Sequence, residues 1–148
     1  LTSNMYTIQR ISDADARAVI DAAAACATQI GVPQNIAIVD ESGHLVAFRR
    51  MDGAKFISIE IALAKALTAS GTRKATRDIA PVTIPGEPGF GIQNLAGGRF
   101  TTLAGGIPLA TGNVVVGAIG VSSGSTHEDQ TVAQAGADFF AARHHGQR

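Results

Sequence analysis

Apolar residues recur at helical spacing early in the chain, as Val19, Ile20, Ala23, Ala27 and Ile30. Ser12 precedes them as a cap for free N–H groups. Asp15 stands where a carboxylate answers both the cap and the helix dipole. Gly31 and Pro33 end this helix. The run Asn35 to Asp40 is almost continuously apolar and predicts a central strand covered on both faces. Asp40-Glu-Ser-Gly43 fits a type I turn, and Leu45 to Met51 predicts the returning strand of a hairpin. Period two places Val46, Phe48 and Arg50 on one face, with Leu45, Ala47 and Arg49 on the other.

A second helix is predicted over Ala54 to Thr72. Ile57, Ile61 and Ala64 fall on one side of it, and Ile59, Leu63 and Leu67 on another, so it is expected to be buried on more than one side. Residues 73–99 carry no clear period and hold Pro81, Pro85 and Pro88; a connection of that length reads as a functional loop or an ordering segment at an interface. Phe100 to Leu103, Ile107 to Ala110 and Val114 to Val121 predict three further strands, the last two joined by the turn signal Thr111-Gly112-Asn113. Thr126-His-Glu-Asp129 opens a final helix with an S/T-x-x-D cap. Its buried stripe is Val132, Gly136, Phe139 and Phe140, and the tail from His144 to Arg148 is expected to fray. Hairpins dominate, so the fold class is α+β: one domain over residues 1–148, with a roughly five-stranded, mainly antiparallel sheet and helices packed on it.

Composition narrows the picture. Twelve Lys and Arg balance twelve Asp and Glu, with no basic stripe, so no nucleic-acid partner is expected. Near-zero net charge favours self-association. Aromatic residues make up 5% of the chain, which leaves the core to Ala, Val, Ile and Leu. Cys26 is the single cysteine. It allows no intrachain disulfide and no cysteine-based zinc site, and it reads as a small buried hydrophobe. No apolar run approaches the ~20 residues of a membrane span, so no membrane partner is expected. Met5 reads either as a start preceded by added residues or as a position downstream of a removed leader; the cytoplasm is the default location, with export left open.

Lys65 is the most informative single residue. Between Phe56 and Gly71 only Glu60 and Lys65 are charged, and an ammonium among apolar neighbours must snorkel, pair or face a polar pocket. Glu60 lies about 140° round the helix from it and is no obvious intrahelical partner. Arg49 and Arg50 point to opposite faces, so one of them at most shares a cavity with Lys65. Arg50 would clamp a carboxylate, while Asp52 is a ligand contact or a helix cap. Gly105 and Gly106 either admit a ligand and offer N–H groups to an anion or form a tight turn. Gly117 and Gly120 leave room for helices on opposite faces of the last strand. His44 reads as a solvated turn residue. His127, in the first turn of the last helix, is a candidate ligand for a metal or haem iron because the dipole favours its neutral form. No spacing marks a metal site, and Gly86 to Gly91 lacks the setting of a phosphate loop.

Taken together, Ile36 to Ala54, Ile61 to Ala69, Gly105 to Leu109 and Val115 to Gly124 resemble the GlcG/HbpS-like haem-binding family, which also occurs as the C-terminal domain of PduO-type adenosyltransferases. The resemblance runs in order along nearly the whole chain. Its motif residues fall on Asp40, Gly43, Arg50, Asp52, Gly53, Lys65, Gly105, Gly106, Pro108, Gly117 and Gly120. It implies an antiparallel sheet with helices, assembly as dimers or higher homo-oligomers up to octamers, and haem as a candidate cofactor. Haem degradation in at least one member and catabolic-operon settings for others also come with it. The family's Gly pair after the last strand and its Gln-Asp near the helix start are replaced here by Ser122 to Asp129, with His127 among them.

Three functions remain open at this stage. The first is a homo-oligomeric accessory protein that binds haem, another tetrapyrrole or a small organic anion, with Arg50, Asp52, Lys65, Gly105, Gly106 and His127 around the ligand. The second is a cofactor-free isomerase, lyase or decarboxylase, in which Arg50 holds a substrate carboxylate and Lys65, with Glu60 or His127, moves the proton. The third is a structural or regulatory oligomer.

Overall fold

The computed structural model describes residues 4–145. Helix α1 (Asp13–Ile30) starts on Ser12, whose side chain accepts from the Asp15 amide, and stops at Gly31 in the left-handed conformation. Strands β1 (Asn35–Asp40) and β2 (Leu45–Arg50) follow as a hairpin, with the Gly43 amide donating back to Asp40 O at 3.1 Å. Helix α2 (Ile57–Thr72) is three residues shorter at its start than expected. Strands β3 (Gly106–Thr111) and β4 (Val114–Ser122) form the second hairpin, and α5 (Thr126–Arg143) closes the fold.

The sheet has four strands in the order β2-β1-β4-β3, all antiparallel. The expected strand at Phe100 to Leu103 is not formed. That segment runs beside the helices instead: the Thr101 amide donates to Thr68 Oγ1 at 3.0 Å, and Leu103 O accepts from Thr76 Oγ1 at 2.7 Å. Side-chain bonds thus take the place of a ladder. Between α2 and β3 lie the short helices α3 (Thr76–Ile79) and α4 (Leu95–Gly98), the latter irregular, with Ala96 and Gly97 in left-handed conformations. Pro108 sits inside β3, which is tolerated because β3 is an edge strand.

Two layers cover the sheet. On one face α1 and α5 pack with Ile36, Ile38, Leu109, Ile119 and Val121 into the larger core. On the other, α2 meets the sheet through Ala37, Ala62, Ala66, Ala69 and Ala118, so close that a side chain at Gly120 would collide with the α2 backbone. Gly117 instead makes way for Ile11 and Val39 rather than for a helix. All six residues of β1 are buried, as a central strand demands.

The β2 alternation differs from the simple pattern. A register shift pairs Ile38 with Ala47 but Val39 with Leu45, leaving Val46 as the extra residue. Leu45 is thereby turned to the α2 face, beside Phe48 rather than opposite it. The C-terminal end also departs from expectation. His144 does not fray: its Nε2 lies 2.7 Å from Asp15 Oδ2, and Arg143 Nε lies 3.0 Å from Asp15 Oδ1. Asp15 therefore serves the α1–α5 contact rather than its own cap. The rest of that expected tail, residues 146–148, and the question of how the chain starts at residues 1–3 lie outside the described residues.

Candidate functional site

Lys65 is buried, with 1% of its side chain exposed, and so is its partner Asp129, with 3%. Its Nζ donates to Asp129 Oδ2 and to Val121 O, both at 2.8 Å. The other Asp129 oxygen accepts from the Gly124 amide at 2.9 Å. Burial pushes the Lys65 ammonium below the ordinary lysine value, and Asp129 opposes that shift by hydrogen bond and charge. The lysine leaves α2, passes the end of β4 and ends at the first turn of α5, so one ion pair joins the two helical layers.

Gly105 and Gly106 make that crossing feasible. A side chain at Gly105, whose φ is +122°, would lie 2.6 Å from Val121 O and 2.9 Å from Lys65 Nζ. The Gly105 amide donates to Gln130 Oε1 at 3.1 Å and the Gly106 amide to Thr76 Oγ1 at 3.1 Å. Both N–H groups are therefore engaged by side chains of the same chain. The α5 cap explains why Asp129 is free for this role. Ser125, not Thr126, is the cap residue, and it forms a reciprocal box with Glu128. The expected pairing of Thr126 with Asp129 is thus one residue out of register, and Asp129 faces the core.

The remaining sequence candidates are spread over separate surfaces. Arg50 and Asp52 are exposed and make no ion pair with a described residue. Asp52 does not cap α2, which begins at Ile57 with Phe56 as its cap residue. Arg49, on the opposite face of β2, reaches Asp21 of α1 at 3.5 Å. Glu60 lies on a groove of about 460 Å³ between the hairpin turn and α2, with Val39, His44, Leu45, Leu63, Leu67 and Arg99. His127 lies on a different groove, also of about 460 Å³, where α1, α3 and α5 meet around Cys26, Arg77 and Gln130. Cys26 is half-buried and packs against the larger core. Among the described residues no group of three or more His, Cys, Asp or Glu is placed to hold a metal ion.

The hairpin groove was not legible as a site from sequence. The β2 bulge brings Leu45 onto it beside Val39, and α2 supplies Leu63, Ala64 and Leu67. At its rim stands His44. The His44 amide donates to Asp40 Oδ1 at 3.1 Å, and its Nδ1 lies 3.9 Å from the same oxygen. Asp40 also accepts from the Ser42 amide at 2.9 Å, so the motif residues Asp40 and Gly43 shape the turn that carries the imidazole. Arg99 contributes a cation whose Nε donates to Ala96 O at 3.0 Å and which no described carboxylate pairs. An apolar floor, an imidazole and a guanidinium thus converge on one surface.

A family model described as haem degrading protein HbpS-like matches residues 11–138. The chain belongs to the HbpS-like family. Within that family it is 34% identical over 134 residues to an uncharacterized 15.0 kDa protein in the dhaT-dhaS intergenic region of Citrobacter freundii, covering 90% of this chain and 94% of that one. The crystal structure of Klebsiella pneumoniae ORFY superimposes with a TM-score of 0.91 at 33% identity, over 96% of this chain and 98% of that one. A crystal structure of a PduOC:heme complex superimposes with a TM-score of 0.83 at 32% identity, over 87% of this chain and 94% of that one. The HbpS-like α+β fold expected from the sequence is therefore found, with one strand fewer.

Proposed function

We propose that this HbpS-like chain is a haem-binding accessory protein and that haem lies in the hairpin groove. The carrying observation is His44 standing over the apolar floor formed by Val39, Leu45, Leu63 and Leu67, with Arg99 beside it. A histidine-ligated haem site uses an imidazole, apolar walls for the macrocycle and a cation for its propionates, and residues of each kind line this groove. The haem carried by the similar PduOC supports the same reading. In it His44, carried on the turn whose amides Asp40 accepts from, would hold the iron through its imidazole. Arg99 would neutralise a propionate, and the leucines would exclude water from the ring face. Bound haem supplies a redox-active iron able to react with oxygen.

The enzyme alternative needs Arg50 and Lys65, with Glu60 or His127, around one substrate. Glu60 and His127 line different grooves, neither of them with Arg50 or Lys65, and Lys65 is occupied by Asp129, which favours the binding reading. In the same reading the chain self-associates. Phe56 and Ile57, 74% and 59% exposed at the start of α2, supply apolar surface for it, and light scattering on the eluted protein measures it.

Titration of the protein with haemin, followed by the Soret band, tests the site. The native chain is expected to give a shifted Soret band that His44→Ala loses and His127→Ala keeps. Arg99→Ala is expected to weaken binding by about tenfold. A native chain that leaves the haemin spectrum unchanged would sink the haem reading, and a Soret shift lost with His127 instead of His44 would move the site to the other groove.

A further inference from the structure

We propose a second ligand site in the groove between α1, α3 and α5, built for a small monocarboxylate and independent of the hairpin groove. Gln130 carries the argument. It is 8% exposed, and its Oε1 is held by the Gly105 amide at 3.1 Å. That bond fixes which way the amide faces: Nε2 is directed away from Gly105 and makes no hydrogen bond to a described residue, and Gln130 is part of the groove wall. Its N–H groups have no acceptor among the described residues and stay reachable from the groove, where a ligand acceptor can take them.

The surroundings choose the kind of acceptor. Arg77 lines the same groove, and its only described partner is the neighbouring Asp78 at 3.8 Å, too long for a hydrogen bond. His127 stands in the first turn of the 18-residue α5, and Gln130 one turn further along the same flank. Thr131 donates its hydroxyl proton to His127 O at 3.0 Å, so towards the groove it offers only an acceptor. Planar donors from an amide and a guanidinium match a carboxylate fork. At the far end Asp138, held by Gln134 Nε2 at 2.8 Å, disfavours a second negative charge. Cys26 and Ala135 offer a small apolar wall for the body of the ligand. The ligand class is thus a short monocarboxylate.

The site also accounts for the network beneath it. Gln130 is positioned by Gly105, and its neighbour Asp129 is positioned by Lys65. The solitary lysine and the glycine pair thereby act on the groove through α5 rather than by touching the ligand; Lys65 and Gly105 are positioning residues.

The test uses butyrate, with butyramide as its neutral counterpart, and follows the Gln130 side-chain NH2 resonances of the full chain by NMR. Butyrate is expected to shift them saturably at millimolar concentration, and butyramide is not. Gln130→Glu keeps an oxygen for the Gly105 amide and replaces the donor by a carboxylate oxygen; it is expected to weaken butyrate at least about tenfold, as judged from the Gly105 amide resonance. Arg77→Gln, on the surface, is expected to weaken it by about fivefold, and His44→Ala is expected to leave it unchanged. Immobile Gln130 resonances, equal shifts with butyramide, or unaltered binding in both Gln130→Glu and Arg77→Gln would overturn the proposal. So would loss of butyrate binding in His44→Ala, which would place the anion in the hairpin groove.

Discussion

At the start of α5, Asp129 meets Lys65 in a contact sealed from water; at its end, Asp15 meets Arg143 and His144 with side chains 18%, 47% and 17% exposed. The distances are alike, 2.8 Å against 3.0 and 2.7 Å, so geometry does not separate the two ends. Solvent does. Two ions withdrawn from water hold each other at a desolvation cost that only their mutual contact and further hydrogen bonds offset. Asp15 and His144 are partly covered, but Arg143 stays about half exposed, so this contact keeps a share of its hydration and adds less. The first arrangement fixes where two helical layers sit; the second trims the end of a helix.

Removing one partner of the sealed contact exposes that difference most. Asp129→Asn leaves the ammonium facing a neutral amide and is expected to lower unfolding free energy by about 3–5 kcal/mol, read from urea denaturation. The double variant Lys65→Met with Asp129→Asn keeps an oxygen for the Gly124 amide, and it is expected to be more stable than Asp129→Asn alone. At the other end, Asp15→Ala removes both contacts and is expected to cost about 1 kcal/mol.

A third pair sharpens the comparison through pH. Arg10, more than half exposed, grips Glu41 with bonds of 2.9 and 2.7 Å. That grip, chiefly the hydrogen bond, holds the Glu41 carboxyl down at about 2, against 4.5 for the free group. A carboxyl depressed by folding contributes stability above its unfolded value and loses it as pH falls through the folded one. Native protein is therefore expected to lose that contribution between about pH 4.5 and 2. Arg10→Ala is expected to flatten this acid limb in urea midpoints taken across that range. The smallest effect belongs to Arg17, paired with Asp13 one helical turn away on the open surface of α1. Arg17→Ala is expected to leave the urea midpoint unchanged.

Local patterns were legible where one element decides the outcome. The apolar run 35–40 became the buried central strand, and Ser12 and Gly31 bound α1 as their chemistry requires. Apolar alternation failed at Leu45, because a bulge depends on the register of two strands. The segment 100–103 looked like a strand but is held by Thr68 and Thr76, residues far off in sequence. Lys65 was visible as an isolated charge, yet its partner lies 64 residues on. Glu128 and Asp129 are adjacent carboxylates, and only the true cap at Ser125 separates the capping one from the buried one. The hairpin groove, lined by His44 before α2 and by Arg99 at the end of the long connection, has no signature in one stretch of chain. Gln130 carried no signal at all, since its role comes from the Gly105 amide.

Pro108 has a bearing on how copies of this molecule can meet. Its ring nitrogen carries no proton, and it stands midway along one margin of the sheet. A strand laid against that margin would find a gap in the row of donors where a continuous ladder needs one. Open-ended stacking through β3 is thereby discouraged.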